Sequence, residues 1–413
     1  MPEQDPPVPT APSPALAALL ADARAQHDEV VALRHALHRV PEIGLDLPAT
    51  QRLVLDALDG LGLEVRTGTA LSSVVAVLRG ARPGPAVLLR GDMDALPVAE
   101  ESGEPFASQR PGVMHACGHD LHTAGLVGAA RLLAARRDEL AGSVVLMFQP
   151  GEEGDHGARL MIDEGVLDAA GERVVAAYGL HVLSSLLPSG VLMSRPGPLL
   201  AAADTVRVTV HGRGGHGSMP HLAADPVPVA AEIVLALQAM VTRRFDVFDP
   251  VVVTVGHLTA GTTDNVIGTS ALLEATVRTF SGATHAVVPE RVRQVCEGVA
   301  SAHGLTVTVE YQRGYPVTVN TAAEVDRAAR VVTDLLGAPA WVDAAQPLPG
   351  AEDFSYVLQE VPGAYLALGA TPAGADPATA AYNHSAHARF ADDALVAGPA
   401  VLAALALDRL AEG

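Results

Sequence analysis

Short β-branched segments alternate with longer helical segments through most of the chain, and this pattern constrains the fold more than any other feature. Apolar residues recur at helical spacing from Ala15 to Val40, and an alanine- and leucine-rich stretch predicts a second helix from Leu121 to Leu140. Four β-branched runs predict strands: Ser73–Leu78, Ala86–Arg90, Ser143–Phe148 and Arg173–Leu180. Such alternation is typical of a mostly parallel sheet covered by helices.

A segment rich in proline and glycine, from Leu187 to Pro198, interrupts this pattern. The elements predicted beyond it follow the order strand, helix, two strands, helix and strand: Thr205–His211, Val227–Arg243, Val251–His257, Ala271–Phe280, Ala286–Ala302 and Leu305–Tyr311. This βαββαβ order is that of a small, ferredoxin-like two-layer domain. Past Gly314 the first pattern resumes, with elements predicted at Ala322–Leu336, Ala364–Leu368 and Ala391–Leu410.

We therefore predict an α/β fold made of two domains. One is discontinuous, spans residues 15–197 and 314–413, and has a mixed, mostly parallel sheet covered by helices. The other is the inserted ferredoxin-like domain of residues 198–313. Residues 1–14 hold six prolines and no basic cluster, so we predict a disordered tail there rather than a secretory signal.

Net charge and residue usage exclude several functional classes. The 413-residue chain carries a formal charge of −20, which repels nucleic acid phosphates and anionic membrane surfaces. All 27 basic residues are arginine, so chemistry that needs a lysine amine is excluded. The only cysteines are Cys117 and Cys296, and the apolar stretch Ala394–Leu407 is shorter than the roughly 20 residues that span a bilayer. We expect a soluble, cytoplasmic protein with neither nucleic acid nor membrane partners.

Polar clusters follow four of the predicted strands. They are RGDMDALP from Arg90, QPGEEG from Gln149, the tripeptide ending at His181, and NHSAH from Asn383. In open α/β sheets the ligand crevice lies outside the carboxyl ends of the strands, so we expect these side chains to meet there.

A fifth cluster, MHACGHDLHTA from Met114 to Ala124, leads into a predicted helix. Cys117 would lie at the start of that helix, where the helix dipole lowers the pKa of a thiol and favours the thiolate that binds metal. The candidate ligands across all five clusters are Cys117, His119, Glu153, His181 and His384. This set suits zinc or a similar divalent ion and exceeds what one four-coordinate site needs, which suggests two metal ions.

Two further carboxylates have expected roles beside these ligands. On an extended loop Glu152 and Glu153 would point in opposite directions, so that Glu153 binds metal while Glu152 faces the substrate as general base. Asp94 would orient a metal-binding histidine through a hydrogen bond.

The segment HGRGGHG, from His211 to Gly217, matches a dinucleotide-binding fingerprint only formally. A helix should open inside such a motif, but Pro220, Pro226 and Pro228 delay the next helix. We interpret the segment as a glycine-rich hairpin that presents His216. The HExxH and GxSxG signatures of other hydrolases are absent from the sequence.

At these residues the sequence resembles the M20 metallopeptidase family, in particular its amidohydrolase branch of hippurate hydrolases, N-acyl-amino-acid amidohydrolases and plant auxin-conjugate hydrolases. The matching motifs occur in the family's order: RGDMDALP, MHACGHDLHTA, FQPGEEG, GLHV, HGRGGHGSMPH, NVIG at Asn265, GAEDF at Gly350, and NHSAHARF. The resemblance implies that Cys117 bridges two metal ions. His119 and His181 would complete one site, and Glu153 and His384 the other.

The resemblance also implies the remaining roles. Glu152 matches the catalytic base and Asp94 the orienting aspartate, whereas Asp92 is not expected to be a ligand. The inserted domain matches a lid and dimerisation domain, in which His216 reaches a neighbouring subunit's site to polarise the scissile carbonyl. Asn265 and Arg278 match positions that hold the substrate carboxylate. Glu352 would line the site.

The resulting hypothesis is a metal-dependent amidohydrolase of N-acyl-amino acids, in which a metal-bound hydroxide attacks the amide and Glu152 transfers the proton. Two divalent ions per subunit are expected, zinc or manganese, with cobalt or nickel possible. The chain would form a homodimer or tetramer through the lid domain. A dipeptidase or aminopeptidase using the same site, and a non-catalytic metal or small-molecule binding protein, are the alternatives.

Overall fold

The computed structural model describes residues 12–412, which form two compact units. The first unit comprises residues up to 197 together with 319–345 and 356 onwards, and the second comprises 198–318 and 346–355. The second unit is therefore larger than the predicted inserted domain by a few residues at its end and by the separate segment 346–355. Most of the predicted tail, residues 1–11, lies outside the described residues.

Ten α-helices and sixteen strands lie within residues 12–412. The helices are α1 (Pro14–Ala25), α2 (His27–Arg39), α3 (Pro48–Leu58), α4 (His119–Ala134), α5 (Gly157–Asp163), α6 (Pro226–Arg244), α7 (Gly282–Ala302), α8 (Ala322–Leu336), α9 (Ser355–Glu360) and α10 (Ala394–Ala411). The strands are β1 (Glu64–Thr67), β2 (Val74–Arg79), β3 (Arg82–Asp92), β4 (Ala141–Gln149), β5 (Ala176–Pro188), β6 (Leu192–Ser194), β7 (Gly197–Leu200), β8 (Ala202–His211), β9 (Gly215–His216), β10 (Val251–Ala260), β11 (Val266–Ile267), β12 (Ser270–Thr279), β13 (Thr306–Tyr315), β14 (Thr318–Asn320), β15 (Trp341–Asp343) and β16 (Gly363–Thr371).

The first unit is built on an eight-stranded sheet with the order β1-β2-β4-β3-β5-β16-β6-β15. The central strands β4, β3, β5 and β16 pair in parallel, as does β6 with β15, whereas β1 with β2, β2 with β4 and β16 with β6 are antiparallel. The prediction of an α/β fold with a mixed, mostly parallel main sheet is confirmed. The central strands are buried almost throughout, as expected for strands covered on both faces.

Helices α4 and α10 supply much of the core that covers this sheet. Both are apolar on nearly every side, which is the pattern of a helix buried inside a protein. Helix α10 and helix α6 are each long and apolar enough to cross a membrane by length and composition, but 72% of the α10 window is buried inside the protein, against 33% for α6.

The helix predicted from Ala15 to Val40 is wrong in one respect, because it is two helices. Gln26 separates α1 from α2. Its main-chain N–H donates the last hydrogen bond of α1, to the Asp22 carbonyl, and its side-chain amide donates to the Gly128 carbonyl at 3.0 Å. No proline or glycine in the sequence marks this break.

The second unit has a four-stranded antiparallel sheet with the order β10-β12-β8-β13. Apart from the short strands β9 and β11, which pair with each other, its chain order is β8-α6-β10-β12-α7-β13, the βαββαβ sequence of elements described above. One face of the sheet packs with α6 and α7 around a valine-rich core that also contains Cys296. Its other face carries alternating exposed polar residues.

Candidate active site

Three parallel strands bring their polar clusters to one edge of the main sheet. Asp92 ends β3, Glu152 follows β4 by three residues, and His181 lies on β5. The predicted end of β5 at Leu180 is too early, because β5 pairs with β16 from Ala177 to Pro188 and His181 lies within the strand. Its side chain still faces the shared edge, since its Nε2 lies 3.3 Å from the Cys117 Sγ.

Cys117 and His119 are placed by a sharp turn that opens α4. Gly118 has a φ of +87°, and a Cβ atom at this position would lie 2.4 Å from the Val182 side chain, so the turn requires glycine. The first turn of α4 is then anchored through Asp120, which accepts from Arg34 Nε at 3.0 Å and contacts His38 Nδ1 at 2.9 Å. The helix start is thereby rigidly joined to α2.

The five predicted metal ligands come together, and they form two groups. In each group the candidate ligand atoms lie within 4.8 Å of one another. One group is Cys117, His119 and His181, the other is Cys117, Glu153 and His384, and Cys117 is their only shared member. The His384 Nε2 lies 3.2 Å from the Cys117 Sγ and 3.3 Å from the Glu153 Oε1.

Two buried atoms of these groups test whether a cation fits. His119 Nε2 and Glu153 Oε1 are buried, lie 3.9 Å apart and make no hydrogen bond within residues 12–412. The group nearest to Glu153 Oε1 on its other side is the His384 imidazole, itself a candidate ligand, at 3.3 Å. Because buried polar atoms are nearly always hydrogen-bonded, a nitrogen and an oxygen that face each other without such a bond indicate space for a shared positive partner. Thiolate, imidazole and carboxylate are also the donors that zinc and related divalent ions prefer. The residues therefore fit divalent metal ions.

Burial changes the proton affinities of this cluster. It raises the pKa of the Cys117 thiol to about 12, although His119 opposes the shift. Desolvation of the buried thiolate therefore acts against the lowering of the pKa expected at the helix start. Burial lowers the pKa of His181, which keeps that imidazole neutral and able to bind a cation. A coordinating divalent ion would deprotonate the thiol.

Glu152 and Glu153 do not point in opposite directions, which corrects the expectation for an extended loop. Their carboxylates lie 4.0 Å and 3.9 Å from His119 Nε2, so both face the same ring. The physical reason is a turn: the Gly154 N–H donates to the Glu152 carbonyl at 2.8 Å, and the main-chain N–H groups of Glu152 and Glu153 donate to Asp94 at 3.0 and 2.9 Å.

Asp94 therefore has two separate contacts with the site. Its carboxylate holds the Glu152–Glu153 turn, while its main-chain carbonyl lies 2.9 Å from His119 Nδ1 and so accepts the ring N–H. That bond leaves His119 Nε2 free to face the ligand cluster, and the Asp94 Oδ1 lies 3.4 Å from the same Nδ1.

We expect Asp94→Ala to lower the free energy of unfolding by about 1 to 3 kcal/mol, because two main-chain N–H groups lose their acceptor in a buried setting. Chemical denaturation followed by circular dichroism measures the change. Asp155→Ala is the matched control, since Asp155 lies exposed on the same loop. Equal stabilities of the two variants would contradict the role of Asp94 in holding the turn.

Asp92 and His122 form a polar pair behind the ligands that sequence reasoning did not assign. Asp92 accepts from Arg90 and from His122 Nδ1, and His122 Nε2 accepts from the Val182 N–H at 2.8 Å. Both ring nitrogens of His122 are thus used. The i, i+3 spacing of His119 and His122 on a helix was the available signal, since it places both rings on one face.

The predicted site residues of the second unit lie on its hairpin and sheet. His216 on β9 is exposed and pairs with Val266 of β11, and the Asn265 carbonyl accepts from the Gly217 N–H at 2.8 Å. Arg278 on β12 is half-buried and donates to the Val277 carbonyl at 3.1 Å, and burial lowers its pKa. Glu352 is buried and accepts from the Phe354 N–H at 2.9 Å. No helix opens between residues 211 and 217, as the hairpin interpretation requires.

Comparisons with known proteins identify the family of the chain. The model of peptidase family M20/M25/M40 matches residues 88–408. The chain is 38% identical over 352 residues to thermostable carboxypeptidase 2 of Saccharolobus solfataricus, covering 84% of this chain and 87% of that protein. It is 38% identical over 389 residues to IAA-amino acid hydrolase ILR1-like 2 of Arabidopsis thaliana, covering 93% and 86%. The crystal structure of the Bacillus subtilis YXEP protein, described as a dinuclear metal binding peptidase, matches with a TM-score of 0.81 and 31% identity over 94% of this chain and 99% of that one.

The fold and the ligand cluster define a metal-dependent hydrolase of amide bonds. The chain belongs to peptidase family M20/M25/M40, and its relatives in that family carry both amidohydrolase and peptidase names.

Proposed function

We propose that the chain hydrolyses the amide between an acyl group and an amino acid, releasing a carboxylate and the free amino acid. The names of its relatives support this substrate class. A carboxypeptidase and an IAA-amino acid hydrolase both cleave an amide whose leaving group is an amino acid. The shared element is a leaving amine that carries a free α-carboxylate.

Two divalent cations are proposed per chain, and the observation that carries the proposal is the pair of three-residue ligand groups that share Cys117. Cys117 would bridge both ions, with His119 and His181 on one and Glu153 and His384 on the other. Ions held there would polarise the scissile carbonyl and acidify water. Zinc or manganese is proposed, with cobalt or nickel as further candidates, since thiolate favours the softer ions and carboxylate the harder ones.

Glu152 is the proposed general base and acid. It is nearly buried, its carboxylate lies 4.0 Å from His119 Nε2, and its main chain is held by Asp94. From this position it would take a proton from the attacking water and return it to the leaving nitrogen.

The second unit is proposed as a lid and dimerisation domain of a homodimer or tetramer. In this proposal His216 stabilises the developing oxyanion in a neighbouring subunit's site. Asn265 and Arg278 would hold the substrate carboxylate, to which an arginine can donate two parallel hydrogen bonds, and Glu352 would line the site. Both cysteines are unpaired, which supports the proposed cytoplasmic location.

The first experiment combines metal analysis with a substrate panel. We expect close to two divalent ions per chain, and we expect hydrolysis of N-acetyl-amino acids and hippurate that chelation abolishes and zinc or manganese restores. Blocking the substrate α-carboxylate as an amide should lower kcat/KM by about 10- to 100-fold, the scale of a lost charge-assisted hydrogen bond.

Dipeptides with a free amino terminus provide the contrast within the same panel. Faster cleavage of these than of N-acylated substrates would favour a peptidase, the second candidate that the carboxypeptidase relative supports. A chain that binds no metal, or hydrolyses capped and free carboxylates equally, contradicts the proposed function.

A further inference from the structure

We propose that Asn383 is a positioning residue whose side-chain amide fixes the three chain segments that carry Cys117, His181 and His384. The inference rests on the metal-binding roles proposed above. Asn383 acts mainly through the main chain beside each ligand, and its Nδ2 also lies 4.0 Å from the Cys117 Sγ.

The side chain of Asn383 is buried and uses its full hydrogen-bonding capacity. Its Nδ2 donates to the Cys117 carbonyl at 3.0 Å and to the Val182 carbonyl at 2.9 Å. Its Oδ1 accepts from the Ser184 N–H and the Ser184 hydroxyl, both at 3.0 Å. The amide orientation is determined by these partners, since rotation by 180° would place its oxygen against two carbonyls.

These four bonds link segments that are distant in the sequence. Cys117 precedes α4, Val182 and Ser184 lie on β5 beside His181, and Asn383 itself precedes His384. The Asn383 amide therefore bonds to Cys117 itself and to Val182, the residue after His181. Asn383 is also the residue directly before His384. The three bonded segments carry the proposed ligand atoms, and a metal site depends on the spacing of these atoms. The Cys117 Sγ lies 3.3 Å from His181 Nε2 and 3.2 Å from His384 Nε2.

The backbone of His384 requires such support. His384 has a φ of +72°, a left-handed conformation that residues with a Cβ rarely adopt and that persists only where the surroundings impose it. Its main-chain N–H donates to the Ala116 carbonyl at 2.8 Å, and its imidazole is more than half exposed, so little side-chain packing holds the ring. The buried amide next to it supplies the remaining constraint.

Asn320 offers a matched control inside the same unit. It is also buried, its Nδ2 donates to the Ser194 hydroxyl and the Arg195 and Tyr365 carbonyls, and its Oδ1 accepts from the Tyr365 N–H at 2.8 Å. None of its partners is a proposed ligand or adjoins one in sequence, and its one link to a ligand is indirect, through the Tyr365 ring, whose centroid lies 6.4 Å from that of His181. Asn383 and Asn320 are therefore similar structural hubs that differ in what they position.

The experiment compares Asn383→Leu with Asn320→Leu, because leucine has a similar volume and removes all hydrogen bonds. Both variants are expected to lose stability to a similar degree. Only Asn383→Leu is expected to lower the affinity for Zn²⁺ and Co²⁺, measured by chelator competition, by about 10- to 100-fold, the usual effect of an outer partner of metal ligands. Only that variant should change the visible absorption of the Co²⁺-loaded enzyme, which reports the geometry of thiolate and imidazole ligands.

A third variant and one further outcome complete the test. Ser184→Ala removes one of the four bonds and is expected to lower metal affinity less than Asn383→Leu does. If Asn383→Leu does not fold, Asn383→Ser takes its place, and the same loss of metal affinity is expected. Unchanged Co²⁺ absorption and metal affinity in the Asn383 variant, alongside metal loss in Cys117→Ala, overturn the positioning role alone. A wild-type chain without metal affinity overturns the proposed function instead.

Discussion

Glu152→Gln is expected to lower kcat by about 10²- to 10⁴-fold while the metal content stays unchanged, the usual scale for the loss of a general base. Glutamine keeps the size of the side chain but cannot take a proton from water. The main-chain N–H bond to Asp94 at 3.0 Å does not involve the side chain, so the turn should persist. Steady-state kinetics on an N-acyl-amino acid, with metal analysis of the same sample, measure both quantities.

Two other glutamates separate this effect from a general loss of charge. Glu153→Gln should reduce the metal content, because Glu153 Oε1 is 3.3 Å from His384 Nε2 within a ligand group. Glu290→Gln removes a charge on the exposed side of α7 and should leave kcat unchanged. A Glu152→Gln variant that keeps wild-type turnover, or that loses its metal, would show that Glu152 is not the base.

The parts of the fold that the sequence predicts well are those with a repeating apolar pattern. Helix α8 begins at Ala322 and ends at Leu336 as expected, and the strongly buried β4 and β16 differ from expectation by only a few residues at their ends. The periodicity of buried residues is a local property of the chain, so it survives in the sequence. The strand pattern also predicts that the ligands lie together, because the carboxyl ends of parallel strands share one edge of the sheet.

What the sequence does not predict depends on contacts between distant residues. Helix α3 has no recognisable capping residue in the sequence, because Glu42, outside the helix, accepts from the Thr50 N–H in its place. The Glu152–Glu153 turn depends on Asp94, 58 residues earlier in the chain. Asn383 belongs to the polar motif NHSAH, but its partners lie as far as 266 residues away, and no local pattern indicates them.

The pKa of Cys117 likewise depends on contacts that the local sequence does not predict. A cysteine at a helix start predicts a thiolate, yet the degree of burial is a tertiary property and its effect has the opposite sign. A buried neutral thiol is a poor ligand, so Cys117 would give up its proton as it binds a cation. The position of Cys117 in both ligand groups then makes it the residue on which the whole site depends.

Cys117→Ala is accordingly expected to lower metal affinity by more than about 100-fold, since even outer partners of metal ligands contribute 10- to 100-fold, and to abolish turnover. Cys117→Ser adds a test of ligand softness: a hydroxyl should weaken zinc binding more than manganese binding. Cys296→Ala is the control, because Cys296 is the other buried free cysteine and lies in the core of the second unit. It should lower stability and keep two ions per chain. Metal content of Cys117→Ala equal to that of Cys296→Ala would contradict the bridging role, and an equal loss of zinc and manganese affinity in Cys117→Ser would show that sulfur does not select the metal.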